Sequence, residues 1–226
     1  MEGLYKYITE AKHICNHPLN IEGNDTYSKI NGWLKKLGIK NFRINGDMTI
    51  STDDSVDLSG KGISAFPSFI QFKYIGGEGI FDVSDNDLKV LRGCPVECNA
   101  FYCNNNPGLR TLRGGPEIVD VYNCSNNNIV SLSGAPKCCV QFLAQHNPKL
   151  TSLKEGPKHI CGTEELGGVY NVSDCGIEGI EGLVGCAKIE GTFKCTGNPG
   201  KITKYYTLKA GIQAKSFTCD TDVKKL

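Results

Sequence analysis

One short pattern returns every twenty residues or so along this 226-residue chain, and it constrains the fold more than any other feature. It reads FDVSDNDLKVLRGCP (81–95), FYCNNNPGLRTLRGGP (101–116), YNCSNNNIVSLSGAP (122–136), FLAQHNPKLTSLKEGP (142–157), YNVSDCGIEGIEGL (170–183) and FKCTGNPGKI (193–202). A weaker copy, VDLSGKGISAFP (56–67), precedes them. The second apolar position falls at Leu58, Val83, Cys103, Cys124, Ala144, Val172 and Cys195, in steps of 25, 20, 21, 20, 28 and 23 residues. A unit this short cannot bury its own apolar side chains and must stack on its neighbours, so a fixed period predicts an elongated array.

Each column of the repeat has a physical role. The aromatic and the Cys/Val positions are two apart, hence on one side of a short strand facing the core. Parallel stacking about 4.8 Å apart makes seven strands a sheet about 29 Å long. Asn86, Asn106, Asn127, Asn147 and Asn198 recur where the chain leaves the strand, with Lys61 and Cys175 replacing the asparagine in two copies. Their amides are expected to bond backbone groups of their own and the adjacent coil, forming a ladder. Ile63, Leu88, Leu109, Ile129, Leu150, Ile177 and Ile202 form the next core column. Phe66, Leu91, Leu112, Leu132, Leu153 and Ile180 form the one after. Gly93, Gly114, Gly134 and Gly156, with Pro95, Pro116, Pro136 and Pro157, are read as closing each coil. The period and the Leu-x-x-Leu column are those of leucine-rich repeats. The expected class is a repeat solenoid of leucine-rich-repeat type, with short parallel β-strands and irregular or 3-10 return turns.

A solenoid needs caps. Residues 24–38 read as a helix with Asp25 or Thr26 as its cap, an apolar stripe of Ile30, Trp33, Leu34 and Leu37, and Gly38 as its stop. Alternation around Asn45-Gly46 predicts a strand pair. The expected organisation is a helical arm (1–23), a helix and strand-pair cap (24–57), a solenoid of about seven coils (58–202) and a C-terminal cap (203–226). The 28-residue step contains an insertion near 158–168.

A net charge of +1 and the lack of a basic aromatic stripe count against nucleic acid. No apolar run reaches the length of a membrane span. The first residues, MEGLYKYITEAKHICNH, lack the uninterrupted apolar core of a secretory signal, so the twelve cysteines read as reduced thiols in a cytosolic setting.

Cys94-x-x-x-Cys98, Cys138-Cys139 and His13-x-Cys15-x-His17 lack the paired spacing of structural zinc, so no metal or other cofactor is expected. TGNPGKIT (196–203) has no glycine at the first position of a phosphate loop. His146 is expected to point outward and the strand cysteines inward, which separates them as a nucleophile pair. No catalytic residue is expected and the chain reads as non-enzymatic. What remains is the outward sheet face, where solenoids commonly bind. Its members Tyr102, Asn104, Asn123, Ser125, Leu143, Gln145, His146 and Asn171 form a polar field with a few bulky anchors, the make-up of a protein-binding patch.

The combined columns, with GIKNFRING (38–46) and VDLSGKGI (56–63) in that order, resemble the short leucine-rich repeats of tailed-bacteriophage proteins, F-x-C-S-x-N-x-L-x-x-L-x-G-x-P. The resemblance spans roughly 24–202 and implies a solenoid in a host-cytoplasm or virion context, without implying an activity. Joined to the sheet face, it gives the expectation of a phage factor that binds and blocks a host defence or regulatory protein. A structural virion or assembly protein is the alternative, and a glycan-binding module a further one.

Overall fold

The computed structural model describes residues 24–162 and 167–221. The expected helical arm at 1–23 and part of the 158–168 insertion lie outside the described residues. The molecule is a parallel β-solenoid of about seven turns. Helix α1 (Asn24–Lys36) precedes a small sheet in which β1 (Phe42–Ile44) pairs antiparallel with β2 (Ile50–Thr52), and β2 pairs parallel with β4 (Phe72–Ile75). Helix α1 begins ahead of Asp25 and Thr26, which therefore lie in its first turn rather than capping it. Its end is a Schellman motif: Ile39 N–H donates to Leu34 O and Gly38 N–H to Lys35 O, with Gly38 at φ +75. Ile30 and Leu34 are fully buried, and the Trp33 ring meets Phe66 edge-on at 5.8 Å, so α1 closes the open end of the array.

The main ladder runs through β3 (Val56–Asp57), β5 (Ile80–Asp82), β6 (Ala100–Tyr102), β7 (Val121–Asn123), β9 (Gln141–Leu143), β11 (Gly168–Asn171) and β12 (Lys188–Lys194). All neighbours are parallel and in register. The Cys/Val column continues the ladder beyond the strands. The amides of Leu58, Val83, Cys103, Cys124, Ala144, Val172 and Cys195 each donate to a carbonyl of the next coil. The ladder also runs past Ile202, where the sequence pattern fades. After helix α3 (Lys204–Lys209), β13 (Gln213–Thr218) pairs parallel with β12, placing Phe217 beside Phe193. The segment read only as a C-terminal cap thus adds an eighth strand, and Phe217-Thr218-Cys219 is another aromatic-x-Cys copy.

The core is a column of rings. Phe66, Phe72, Phe81, Phe101, Tyr122, Phe142, Tyr170 and Phe193 follow one another at centroid distances of 4.9 to 6.5 Å. Each such pair contributes roughly 0.5–1.5 kcal/mol beyond the area it buries. Val83, Cys103, Cys124, Ala144, Val172 and Cys195 are fully buried beside it.

The asparagine column supplies the polar counterpart. The Asn127 amide donates to Cys124 O at 2.9 Å and to Cys103 O of the preceding coil at 3.0 Å, while its oxygen accepts from Asn106 N–H at 2.6 Å, where the other rungs accept from the Leu/Ile-column amide. Asn86, Asn106, Asn147 and Asn198 bridge coils in the same way. Cys175 keeps half of the device, its thiol donating to Ala144 O at 3.2 Å.

Two sequence assignments change. Gly156 is not the left-handed residue of its turn. Glu155 takes that conformation (φ +64), as Gly93, Gly114 and Gly134 do in theirs. Ile180 is only half-buried, and Leu183 fills the core slot instead. The turn bond of Cys186 N–H to Leu183 O matches those of Gly115 to Leu112 and Ala135 to Leu132. The three extra residues of this 23-residue step are wound into helix α2 (Gly179–Leu183). Finally, of the irregular or 3-10 return turns expected, the described residues show the irregular form, with short hydrogen-bonded turns and no 3-10 stretch.

A second parallel row was not legible in the repeat. Tyr74 bridges Glu97, and Glu97 bridges Ile118. Further along the array, β8 (Cys138–Cys139) pairs with β10 (His159–Ile160), and β10 with the start of β12. Its inward column, Cys98, Val119, Cys139, Ile160 and Ile189, is buried. No helix among the described residues is long and apolar enough to cross a membrane.

Candidate binding face

The outward column between the two core positions is in register along the ladder. Asp57, Asp82, Tyr102, Asn123, Leu143, Asn171 and Lys194 pair in turn. Four of them serve their own coil as Asx turns. Asp57 Oδ1 accepts from Ser59 N–H at 2.9 Å and Ser59 Oγ at 2.7 Å, and these bonds hold the Asp57 carboxyl below its usual range. Asp82 accepts from Ser84 N–H at 2.8 Å. Asn123 accepts from the amide and hydroxyl of Ser125, and Asn171 from Ser173 N–H at 3.1 Å. Ser125 is buried at 3% exposure, so it is a structural partner of Asn123 and not a free member of the face.

Three coils break this arrangement. They carry Tyr102-x-Asn104, Leu143-x-Gln145 and Lys194-x-Thr196 where the others carry Asp/Asn-x-Ser. Tyr102 and Leu143 are half-buried and flank Asn123, two strand spacings apart, about 9.6 Å. Gln145 Oε1 is buried with no hydrogen-bond partner among the described residues.

His146 stands differently. It is exposed, at φ +57, in a column with Asp85, Asn105, Asn126 and Asp174 that is left-handed throughout. Asn, Asp and His are the non-glycine residues that tolerate this conformation best, so the backbone accounts for the column's composition. His146 Nδ1 lies 3.5 Å from Asp174 Oδ2.

A second candidate surface is a shallow groove of about 690 Å³ across the Gly-x-Pro turns. It is lined in part by Arg92, Val96, Glu117, Ile118 and Lys137, and Val96 and Ile118 are its exposed apolar members.

Burial rather than reactivity describes most cysteines. Cys103 and Cys124 are fully buried and their thiols are pushed well above the ordinary range by desolvation. Cys94 and Cys98 are both buried near the Pro95 turn. The stacking of coils does assemble a donor group that spacing along the chain hides. Cys138, His159 and Cys161 place one ligand atom each within 4.8 Å of one another. His159 Nδ1 is 3.8 Å from Cys161 Sγ, and His159 Nε2 is 3.0 Å from Glu190 Oε1, an ion-pair contact rather than an aligned hydrogen bond. His159, then the Gly162 amide, hold the Glu190 carboxyl below its usual range.

No family model matches this chain, and neither a curated protein nor a solved structure does.

Proposed function

We propose that this chain is a non-enzymatic leucine-rich-repeat solenoid that binds another protein through the outward side chains of its strand ladder. The observation carrying this reading is the release of Tyr102 and Leu143 from the Asx-turn duty that Asp57, Asp82, Asn123 and Asn171 perform. A tyrosine and a leucine with no local bond, set in a field of amides that includes Asn104 and Gln145, have the composition of a hot spot and its polar surround. The similarity of the repeats to those of tailed-phage proteins supports a host protein as the partner, blocked by occlusion.

The test is affinity capture from host lysate with wild type, Tyr102→Ala/Leu143→Ala and Val96→Ser/Ile118→Ser, each confirmed folded by circular dichroism. A specific partner should be recovered by wild type and by the groove variant, and lost with Tyr102→Ala/Leu143→Ala. Equal recovery by all three, or loss only with the groove variant, overturns the assignment to the sheet face.

A further inference from the structure

The second row of strands carries its own chemistry. Along the array its outward residues include Glu97, Ile118, Cys138, His159 and Lys188, joined by parallel bridges or pairs on either side of Cys138. Cys138 and His159 are direct Cα partners on β8 and β10, so their side chains rise side by side. Cys161 lies two residues beyond His159 and so shares its outward side, while Ile160 between them is buried. Three soft or borderline donors thereby converge from two adjacent coils.

The distances fit a tetrahedral ion. With metal–sulfur and metal–nitrogen bonds of about 2.3 and 2.0–2.1 Å, a tetrahedral edge between sulfur and nitrogen is roughly 3.6 Å. The Cys161 Sγ to His159 Nδ1 distance is 3.8 Å. The other imidazole nitrogen faces Glu190, a residue of the next coil, at 3.0 Å. A carboxylate accepting from the far N–H of a ligating histidine is the usual outer support of such a site, fixing its tautomer and raising its basicity, and a small rotation of the Glu190 carboxyl or the His159 ring would align this contact into that bond. We infer that Cys138, Cys161 and His159 form a binding site for a zinc-class divalent ion, with Glu190 as the orienting carboxylate and the fourth position open to water.

Such an ion would tie two adjacent coils together and reach the third through Glu190. It would do so where the array is most perturbed, since the 28-residue step begins at Ala144 and contains both His159 and Cys161. A thiol, an imidazole and a carboxylate in line also describe a nucleophile with its base. Cys138 distinguishes the two, because its thiol has no part in a proton relay yet sits within the same 4.8 Å group.

The full-length, reduced and chelator-treated chain should be titrated with Co(II) as a spectroscopic stand-in, and then with Zn(II). One equivalent of Co(II) should produce thiolate-to-metal charge-transfer absorption and intense tetrahedral d–d bands, both abolished by Zn(II). Cys138→Ser/Cys161→Ser should remove them. His159→Gln should weaken binding strongly, and Glu190→Gln by roughly tenfold. Zn(II) should also protect Cys161 from alkylation. Absence of the spectrum, its persistence in Cys138→Ser/Cys161→Ser, or alkylation of Cys161 at one rate with and without Zn(II) would each overturn the site.

Discussion

At the scale of single residues, tyrosine and glycine are matched in this array. Tyr122 and Tyr170 stand in the aromatic column with buried hydroxyls that have no partner among the described residues. Each hydroxyl reaches over a turn glycine of the preceding coil. A Cβ at Gly115 would collide with Tyr122 Oη, and one at Gly156 would lie 2.9 Å from Tyr170 Oη. Where the ring is phenylalanine, the same slot holds Cys94, Ala135 or Cys186. Gly115→Ala alone should therefore cost roughly 1–3 kcal/mol through overpacking. Tyr122→Phe, which deletes an unpaired hydroxyl, should be close to neutral. The double variant should recover most of the loss, with a coupling of about 1 kcal/mol or more in urea unfolding; additive losses would refute the pairing. Glu155 is a second exception. As the non-glycine residue at a left-handed turn position, it should be improved by Glu155→Gly, by about 1 kcal/mol in the same assay. These rules are present in the sequence, but only the coil-to-coil offset reveals them. The same is true of His146, whose residue type reads as functional until the backbone conformation of its column is known.

At the scale of elements, the asparagine rungs hold each coil to the one before it. Asn127→Ala would remove three buried hydrogen bonds and strand the Asn106 amide, while Cys103 O and Cys124 O each keep one donor, from Asn106 and Asn147, so the loss should be about 3 kcal/mol. Cys175→Ala removes a single thiol donor and should cost about 1 kcal/mol, which comparison of the two urea midpoints will check. An equal loss would mean that the rung is not what the asparagine contributes. The strand column and the rungs were legible because each sits at one offset from the aromatic ring, and the first leucine column because it is always Leu or Ile within a residue or two of one offset. The second row was not, because only Cys98, Val119 and Cys139 keep one offset, three residues before the ring, and they share no residue type, while the insertion moves Ile160 and the β12 irregularity moves Ile189. The three-residue slip into α2 hid Leu183 behind Ile180 for the same reason. The eighth copy around Phe217 was missed because its asparagine and leucine columns are absent.

At the scale of the whole molecule, the array sequesters its thiols. Of the eleven described cysteines, Cys94, Cys98, Cys103, Cys124, Cys139, Cys175 and Cys195 are buried. Burial pushes Cys98 and Cys175 up to about 12, so neither forms thiolate near neutral pH. These seven should resist alkylation in the native protein and react together on unfolding, as peptide mass mapping will read out; piecemeal labelling of Cys103 or Cys124 in native buffer would contradict the packing. The central claim is that one uninterrupted parallel ladder runs from the N-terminal cap through the final strand, leaving only outward side chains for partners. Residue-resolved amide hydrogen exchange tests it most directly. The amides of Leu58, Val83, Cys103, Cys124, Ala144, Val172 and Cys195 should all be slowed by roughly three orders of magnitude or more relative to unstructured chain. Unprotected exchange at Val172 and Cys195, with the earlier five protected, would show that the ladder stops at the insertion and would contradict the account.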